Sequence, residues 1–241
     1  MKDAIYRRKS TRSYETDCLD ANTIKQIEDF LKSAKPLFSG IKSEYKLLAP
    51  DQIRCLLPWR APHNLAILME DKPGACENAG FIGQQLDLFL QSRGIAACWL
   101  GMGRLSAKEL AIQKSSGLEL MCIISFGMPK GEGLRNSIDE FNRKPLLEIS
   151  DIEDKRLEPA RLAPSSTNSQ PWYFIHEGDL IHAFCVERTG IKKLTYGKMN
   201  RIDMGIALAH MYVTCPETFD FQVRQNAPKK DGFYYTGTFS V

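Results

Sequence analysis

The stretch 163–172 concentrates the side chains best suited to holding a small polar ligand, and we call it the Pro-Ser-Ser loop. Pro164 and Pro171 fix their own φ angles and push the preceding residues out of the helical region, which predicts a turn between them. Two serines, a threonine and an asparagine at 165–168 then offer hydroxyl and amide groups outward or to their own backbone. The alternative interpretation is a helix-to-strand turn that Trp172 anchors in the core.

A basic segment near the N-terminus has the residue types that bind phosphate. This arginine motif, Arg8-Lys9-Ser10-Thr11-Arg12, follows Arg7. Guanidinium groups make paired, charge-assisted hydrogen bonds to phosphate oxygens, and a serine hydroxyl adds a neutral one. Taken alone, a short run of Lys and Arg is usually a solvated surface. The motif therefore indicates a phosphate-binding site only in combination with the Pro-Ser-Ser loop.

Together the two segments resemble the signatures of the FMN-dependent nitroreductase family. In that family a similar loop follows a helix, precedes a central strand and contacts the flavin, while an arginine-serine-arginine motif binds the FMN phosphate and the pyrimidine side of the ring. The resemblance implies that Arg8, Ser10 and Arg12 hold the phosphate and the ring edge. It also implies that the Pro-Ser-Ser loop closes the site and that Gln170 orients this loop.

Two further segments complete the site that the resemblance implies. Leu100-Gly101-Met102 lies where the family turns a backbone N–H toward the flavin N5, and glycine permits such a close approach. Many members have an acidic residue and a glycine there, so Gly101-Met102 departs from the pattern, and a plain strand-to-helix turn is the alternative. Within Asn142-Arg143-Lys144, Arg143 matches the basic residue that the family often places on the phosphate.

The resemblance implies a flavin enzyme without catalytic side chains of its own. NADH or NADPH would deliver hydride to FMN N5 and leave, and a small acceptor such as a nitroaromatic or a quinone would take the electrons, which gives ping-pong kinetics. The predicted cofactor-binding residues are Arg8, Lys9, Ser10, Thr11, Arg12, Leu100, Gly101, Met102, Arg143, Pro164, Ser165, Ser166, Asn168 and Gln170.

The late position of the Pro-Ser-Ser loop suggests two copies of the family's half-unit in one chain. Segments 31–35 and 157–161 align with an offset of 126, and Gly80 aligns with Gly205 with an offset of 125 (205 − 80). Chance similarity between two helices is the alternative. Family members are typically homodimers with flavins at the interface. We therefore predict a monomeric internal pseudo-dimer with halves 1–145 and 146–241, one complete site and one broken site.

Hydrophobic periodicity predicts an α+β, nitroreductase-like fold of mixed antiparallel sheets with flanking helices. Predicted helices cover 1–8, a segment that Asp20 caps, 75–93, and a segment around 202–213. Predicted strands are 65–69, 95–100, 120–126, a hairpin of 172–176 with 180–186, and 233–241. The last strand is expected to cross to the sheet of the first half.

Composition and residue spacing argue against several classes of function. A net charge of +3 without a clustered basic face argues against nucleic acid as a partner. Seven scattered cysteines without a CxxC pair are typical of reduced thiols, and the four histidines lack metal-ligand spacing. No apolar run approaches the roughly 20 residues of a membrane span and no signal core follows the N-terminus, so we expect a cytoplasmic protein.

Other chemistries fit the sequence less well. Ser165 and Ser166 lack a nucleophile elbow, and Gly101-Met102-Gly103 is not a dinucleotide fingerprint because Ser106 stands at its last position. Two rivals to the reductase remain. One is a flavin-binding protein for storage or sensing without turnover, and the other is a structural α+β protein that has lost FMN.

Overall fold

The computed structural model describes residues 1–56 and 59–241, and for residues 191–195 the backbone alone. The α-helices are α1 Lys2–Ile5, α2 Ala21–Ser33, α3 Ala75–Ser92, α4 Ala107–Ser116, α5 Leu146–Ile149, α6 Glu158–Arg161 and α7 Gly190–Thr214. The strands are β1 Ser43–Leu48, β2 Ile53–Arg54, β3 His63–Met69, β4 Ala96–Leu100, β5 Arg104–Leu105, β6 Glu119–Gly127, β7 Trp172–Glu177, β8 Leu180–Val186, β9 Asp220–Gln222 and β10 Phe233–Ser240. Within these ranges no helix has the length and hydropathy that a bilayer span requires.

Two four-stranded sheets share one topology. The first has the order β1-β3-β6-β4 and the second the order β7-β8-β10-β9, and all neighbouring strands are antiparallel. In both, the last strand along the chain lies between the second and the third, and a long helix connects the second to the third. This shared order is what two copies of one β-β-α-β-β unit would produce.

The long helices α3 and α7 cross at two glycines in the centre of the molecule. A Cβ atom built on Gly80 would stand 1.9 Å from the carbonyl oxygen of Ile202, and one built on Gly205 would stand 2.0 Å from that of Glu77. Both neighbours are backbone atoms, so only glycine permits this approach. The two contacts are equivalent, because Ile202 precedes Gly205 by three positions just as Glu77 precedes Gly80.

Gly80→Ala and Gly205→Ala are each expected to lower the free energy of unfolding by about 2 kcal/mol, because the added methyl group forces the helices apart against a packed core. Gly83→Ala is the matched control on α3. Its built Cβ meets side-chain tips of Trp99, Ile124 and Ile67, which yield more easily than backbone. Urea unfolding of the three variants checks this, and equal losses at positions 80 and 83 would contradict it.

The structure confirms most predicted elements. The Asp20 side chain caps α2 by accepting from the Thr23 N–H, and the hairpin of β7 and β8 forms in register. The expectation for the C-terminal strand is wrong, because β10 pairs with β8 and β9 of the second half. The alternation of a strand fixes which face is buried but not which strand becomes its neighbour.

Candidate functional site

The arginine motif pairs with β4 at the edge of the first sheet. Ser10 forms a parallel bridge with Ala97 of β4, and the N–H of Thr11 donates to the Ala97 carbonyl at 3.1 Å. This pairing places the arginine motif beside β4, which ends at Leu100, three residues after Ala97.

Arg8 is buried in the protein and already has polar partners. It is 1% exposed, its Nε donates to Asp87 Oδ2 at 3.1 Å, and its Nη2 donates to Ser10 Oγ at 3.1 Å. The N–H of Lys9 donates to Gln91 Oε1 at 2.9 Å. These contacts fix the motif on α3. Arg12 is exposed by contrast, so it is the guanidinium of the motif that faces solvent.

The Pro-Ser-Ser loop forms the predicted turn, with an unusual backbone. A single 3-10 turn covers Ser166–Asn168, and φ is positive at Thr167 (53°), Asn168 (56°) and Gln170 (47°). Left-handed conformations at three non-glycine residues, one of them β-branched, are costly and concentrate at functional sites. Trp172 is 2% exposed, so the anchoring role of the alternative interpretation also holds.

Three hydrogen bonds hold the Pro-Ser-Ser loop in this shape. The Gln170 N–H donates to Ser165 Oγ at 2.9 Å, and Gln170 Oε1 accepts from the Lys144 N–H at 2.7 Å. On the other side, the Ser166 N–H donates to Asp203 Oδ1 of α7 at 2.9 Å. Gln170 therefore ties the loop to Lys144 and to Ser165, and Asp203 is a support that the sequence did not reveal.

Arg143 joins the two halves of the site. Its Nη1 donates to Asn168 Oδ1 at 2.7 Å, and Asn168 Nδ2 donates to the Asn142 carbonyl at 2.9 Å. Its Nε is buried without a partner in the described part of the chain. Burial, together with the positive charges of Arg8, Arg135 and Arg161, lowers the pKa of Arg143 to about 10. Several cations therefore converge here, of which Arg8 pairs with Asp87 and Arg161 pairs with Glu158.

Arg135 is a member of this cluster that sequence reasoning missed. It donates to the Arg8 carbonyl, and its guanidinium lies 4.2 Å from the Phe141 ring centre. The guanidinium of Arg143 lies 5.6 Å from the same ring. An arginine in an irregular loop carries no sequence signal of its partners, so only the fold reveals this cluster.

The far end of the Pro-Ser-Ser loop lies near the turn at Gly101. A Cβ atom built on Gly101 would stand 3.7 Å from both Ser166 Oγ and Met199 Sδ. Leu100 is 3% exposed, whereas Met102 is 64% exposed. One end of the loop thus contacts Arg143 and the other approaches the turn where the flavin ring is expected.

A cavity of about 220 Å³ adjoins Leu100. Its polar lining includes Arg54, Arg60, Asn64 and Ser125. Asn64 Oδ1 accepts from Ser125 Oγ at 2.5 Å, whereas Asn64 Nδ2 is buried without a partner in residues 1–56 and 59–241. The cavity is therefore rich in hydrogen-bond donors, and no sequence pattern predicted it.

The described residues contain no group of three or more His, Cys, Asp or Glu side chains suited to a metal ion. His210 has a structural role: its Nδ1 lies 2.8 Å from the Pro159 carbonyl, and its Nε2 lies 3.1 Å from Gln84 Nε2. Burial lowers the pKa of His210 to about 3, so the ring is neutral.

Comparison with known proteins identifies a family for the chain. A family model described as "Putative TM nitroreductase" matches residues 1–215. The structure described as "a putative nitroreductase" from Thermotoga maritima has a TM-score of 0.66 and 22% identity, covering 99% of this chain and 91% of that chain. No curated protein matches the sequence.

Two other solved structures cover part of the chain. The FMN-dependent nitroreductase NfnB from Mycobacterium smegmatis, in complex with NADPH, has a TM-score of 0.40 and 15% identity, covering 57% of this chain and 94% of that chain. An FMN-dependent nitroreductase from Clostridium difficile has a TM-score of 0.43 and 17% identity, covering 56% of this chain and 91% of that chain. With a family model matching most of its length, the chain belongs to this nitroreductase family.

Proposed function

We propose that the protein is an FMN-dependent oxidoreductase that takes electrons from NADH or NADPH and passes them to a small acceptor such as a nitroaromatic or a quinone. The observation that carries this proposal is the 2.7 Å hydrogen bond between Arg143 and Asn168. It brings together a cation from residues 1–145 and the Pro-Ser-Ser loop from residues 146–241, so both are available to one ligand.

The residues present fit the phosphate of FMN. Arg143 has a buried Nε without a partner among the described residues, and Arg8 and Arg135 lie close enough to depress its pKa. Arg8 pairs with Asp87 and Glu140 acts on Arg135, whereas Arg143 has no acidic partner among the described residues. A phosphate dianion would supply the missing negative charge and accept the free N–H.

The residues near Leu100 fit the ring. Bound FMN would accept hydride at its N5 and return electrons to the second substrate. Gly101 presents backbone without a side chain, and Ser166 faces it from the other half. The cavity beside Leu100 offers donors from Arg54, Arg60 and Asn64, which suit the oxygen and nitrogen acceptors of a pyrimidine. Arg12 is exposed, and its guanidinium would stabilise negative charge on the pyrimidine edge if that edge lies beside it.

We further propose that residues 1–145 and 146–241 form an internal pseudo-dimer that acts as a monomer in the cytoplasm. The common strand order and the paired glycines support it. A second equivalence involves loop anchors: Gln85 Nε2 donates to the Lys35 carbonyl at 2.8 Å, and His210 Nδ1 lies 2.8 Å from the Pro159 carbonyl. The helix positions differ by 125 and the carbonyl positions by 124.

The FMN content and the mass of the purified protein test this proposal. We expect one FMN on each monomeric chain after reconstitution, and steady-state oxidation of NADH or NADPH that requires an acceptor. Two FMN per chain would contradict the broken second site, and one FMN per chain in an obligate dimer would contradict internal pairing. Bound FMN without turnover would favour the storage or sensing role, and no binding would overturn the proposal.

A further inference from the structure

A buried carboxyl group of α7 lies directly beneath the Pro-Ser-Ser loop. Asp203 is 3% exposed, and its Oδ1 accepts from the backbone N–H of Ser166 at 2.9 Å. Its Oδ2 is buried and has no hydrogen-bond partner in the part of the chain that the structure describes. One oxygen therefore holds the loop, while the other lacks a group that would stabilise a negative charge.

The first half of the chain has an amide at the matching position. Asn78 precedes Asp203 by 125 positions (203 − 78), the same offset that separates Gly80 from Gly205. Asn78 Oδ1 accepts from the N–H groups of Leu37 and Phe38 at 2.9 and 2.7 Å, and its Nδ2 donates to the Phe38 carbonyl at 2.8 Å. At both positions a helix side chain thus holds the loop that faces it, and Asn78 does so without a charge.

A carboxyl group has the same neutral charge and the same kinds of hydrogen-bonding group as this amide only when it carries a proton. The protonated acid has one accepting oxygen and one hydroxyl donor, whereas the ionised acid has two acceptors and no donor. An ionised Asp203 beneath the closed loop would be a buried charge with a single hydrogen bond, which is unfavourable. Opening of the loop would let water reach the carboxylate and remove this penalty.

We propose that Asp203 is a proton-dependent positioning residue, which holds the Pro-Ser-Ser loop closed over bound FMN when protonated and favours an open loop when ionised. The inference rests on the proposed function, since it concerns the same flavin site.

Asp203 belongs to a group of titratable and charged residues around Cys185 of β8. The others are Glu77 of α3, Tyr234 of β10 and Arg201 of α7. Burial raises the pKa of Cys185 to about 12 and raises that of Glu77 above its ordinary range. The Pro-Ser-Ser loop itself carries no titratable side chain. Since Glu77 also titrates, the test must compare variants at each pH instead of relying on one pH profile.

The direction of the pH dependence follows from proton uptake on closure. Burial raises the pKa of Asp203 to about 7 in the closed loop, whereas a hydrated aspartate titrates near about pH 4. Between these values the closed loop binds one more proton than the open loop. Each unit of rise in pH then weakens closure, and FMN binding with it, by up to about tenfold, and the effect levels off above about pH 7.5.

The test is the FMN dissociation constant of the wild type and of Asp203→Asn, measured by flavin fluorescence from about pH 5 to about pH 8.5. The ratio of the two dissociation constants at each pH removes effects common to both proteins. These are the second ionisation of the FMN phosphate, near about pH 6, and the titration of Glu77. We expect the wild-type constant to rise relative to that of the variant by at least about 30-fold between about pH 5 and pH 7.5. Asn78→Asp is the matched control, and its ratio to the wild type is expected to stay flat.

If the ratio of the wild-type to the Asp203→Asn dissociation constant does not change with pH, the proposed role of Asp203 is wrong, although FMN binding itself is intact. Absence of FMN binding in every protein at every pH would overturn the proposed function as well. If Asp203→Asn does not fold, carbon-13 NMR of aspartate-labelled wild type without FMN provides a second measurement. An aspartate carboxyl resonance that titrates near about pH 7 supports the proposal, and its absence overturns it.

Discussion

Replacing Arg143 with alanine is expected to weaken FMN binding by about 100-fold, which corresponds to about 2.7 kcal/mol. Among the described residues where the first half meets the Pro-Ser-Ser loop, Arg143 is a cation with a buried N–H that has no partner. A charge-assisted hydrogen bond to a phosphate in such a desolvated place contributes more than an exposed pair does. Titration of the apoprotein with FMN at fixed ionic strength measures the change.

A double-mutant cycle with Asn168→Ala tests whether the two residues act on one ligand. Because Arg143 Nη1 donates to Asn168 Oδ1 at 2.7 Å, the double variant should lose less affinity than the two single losses added together. Arg224→Ala removes the same charge from an exposed position after β9 and should leave FMN affinity unchanged. Additive losses at Arg143 and Asn168 would show that they do not share a ligand contact.

The parts of the site that were predictable are those with local causes. Two prolines around a run of Ser, Thr and Asn enforce a turn whatever the fold, and the observed 3-10 turn at 166–168 follows from them. The residues that support the site were not predictable. Asp87 and Asp203 stand in the long helices α3 and α7, and a single acid in a helix does not specify the residue it contacts. Their roles depend on which loop packs against that helix.

The same division applies to the fold. Helix α3 was predicted nearly to its ends, because its apolar spacing and the glycine that follows it are local signals. β1 and α4 were not predicted. β1 has mostly half-exposed positions, and α4 buries only Glu109. Such elements have little apolar periodicity, so their place in the fold depends on tertiary contacts that cannot be predicted from the local sequence.

Replacing Asp87 with asparagine is expected to lower the free energy of unfolding by about 3 to 5 kcal/mol, because it leaves a buried guanidinium without its counter-charge. Arg8 and Asp87 are 1% and 0% exposed and lie 3.1 Å apart. Gln91 also donates to the second Asp87 oxygen, so the whole attachment of the arginine motif to α3 depends on this carboxylate. For a chain of this size the loss corresponds to a decrease in Tm of roughly 6 to 20 °C, which calorimetry measures.

Two comparisons separate the ion pair from the cofactor site. Asp29→Asn removes an equivalent charge between two lysines on the exposed face of α2, and stability should hardly change because solvent screens such pairs. Replacing Arg8 and Asp87 together with leucine should recover most of the stability, since two apolar residues leave no buried charge. The same double variant should still bind FMN poorly, because it lacks a guanidinium that we propose for the phosphate site. Recovery of both properties would show that Arg8 serves only the packing of the N-terminal segment on α3.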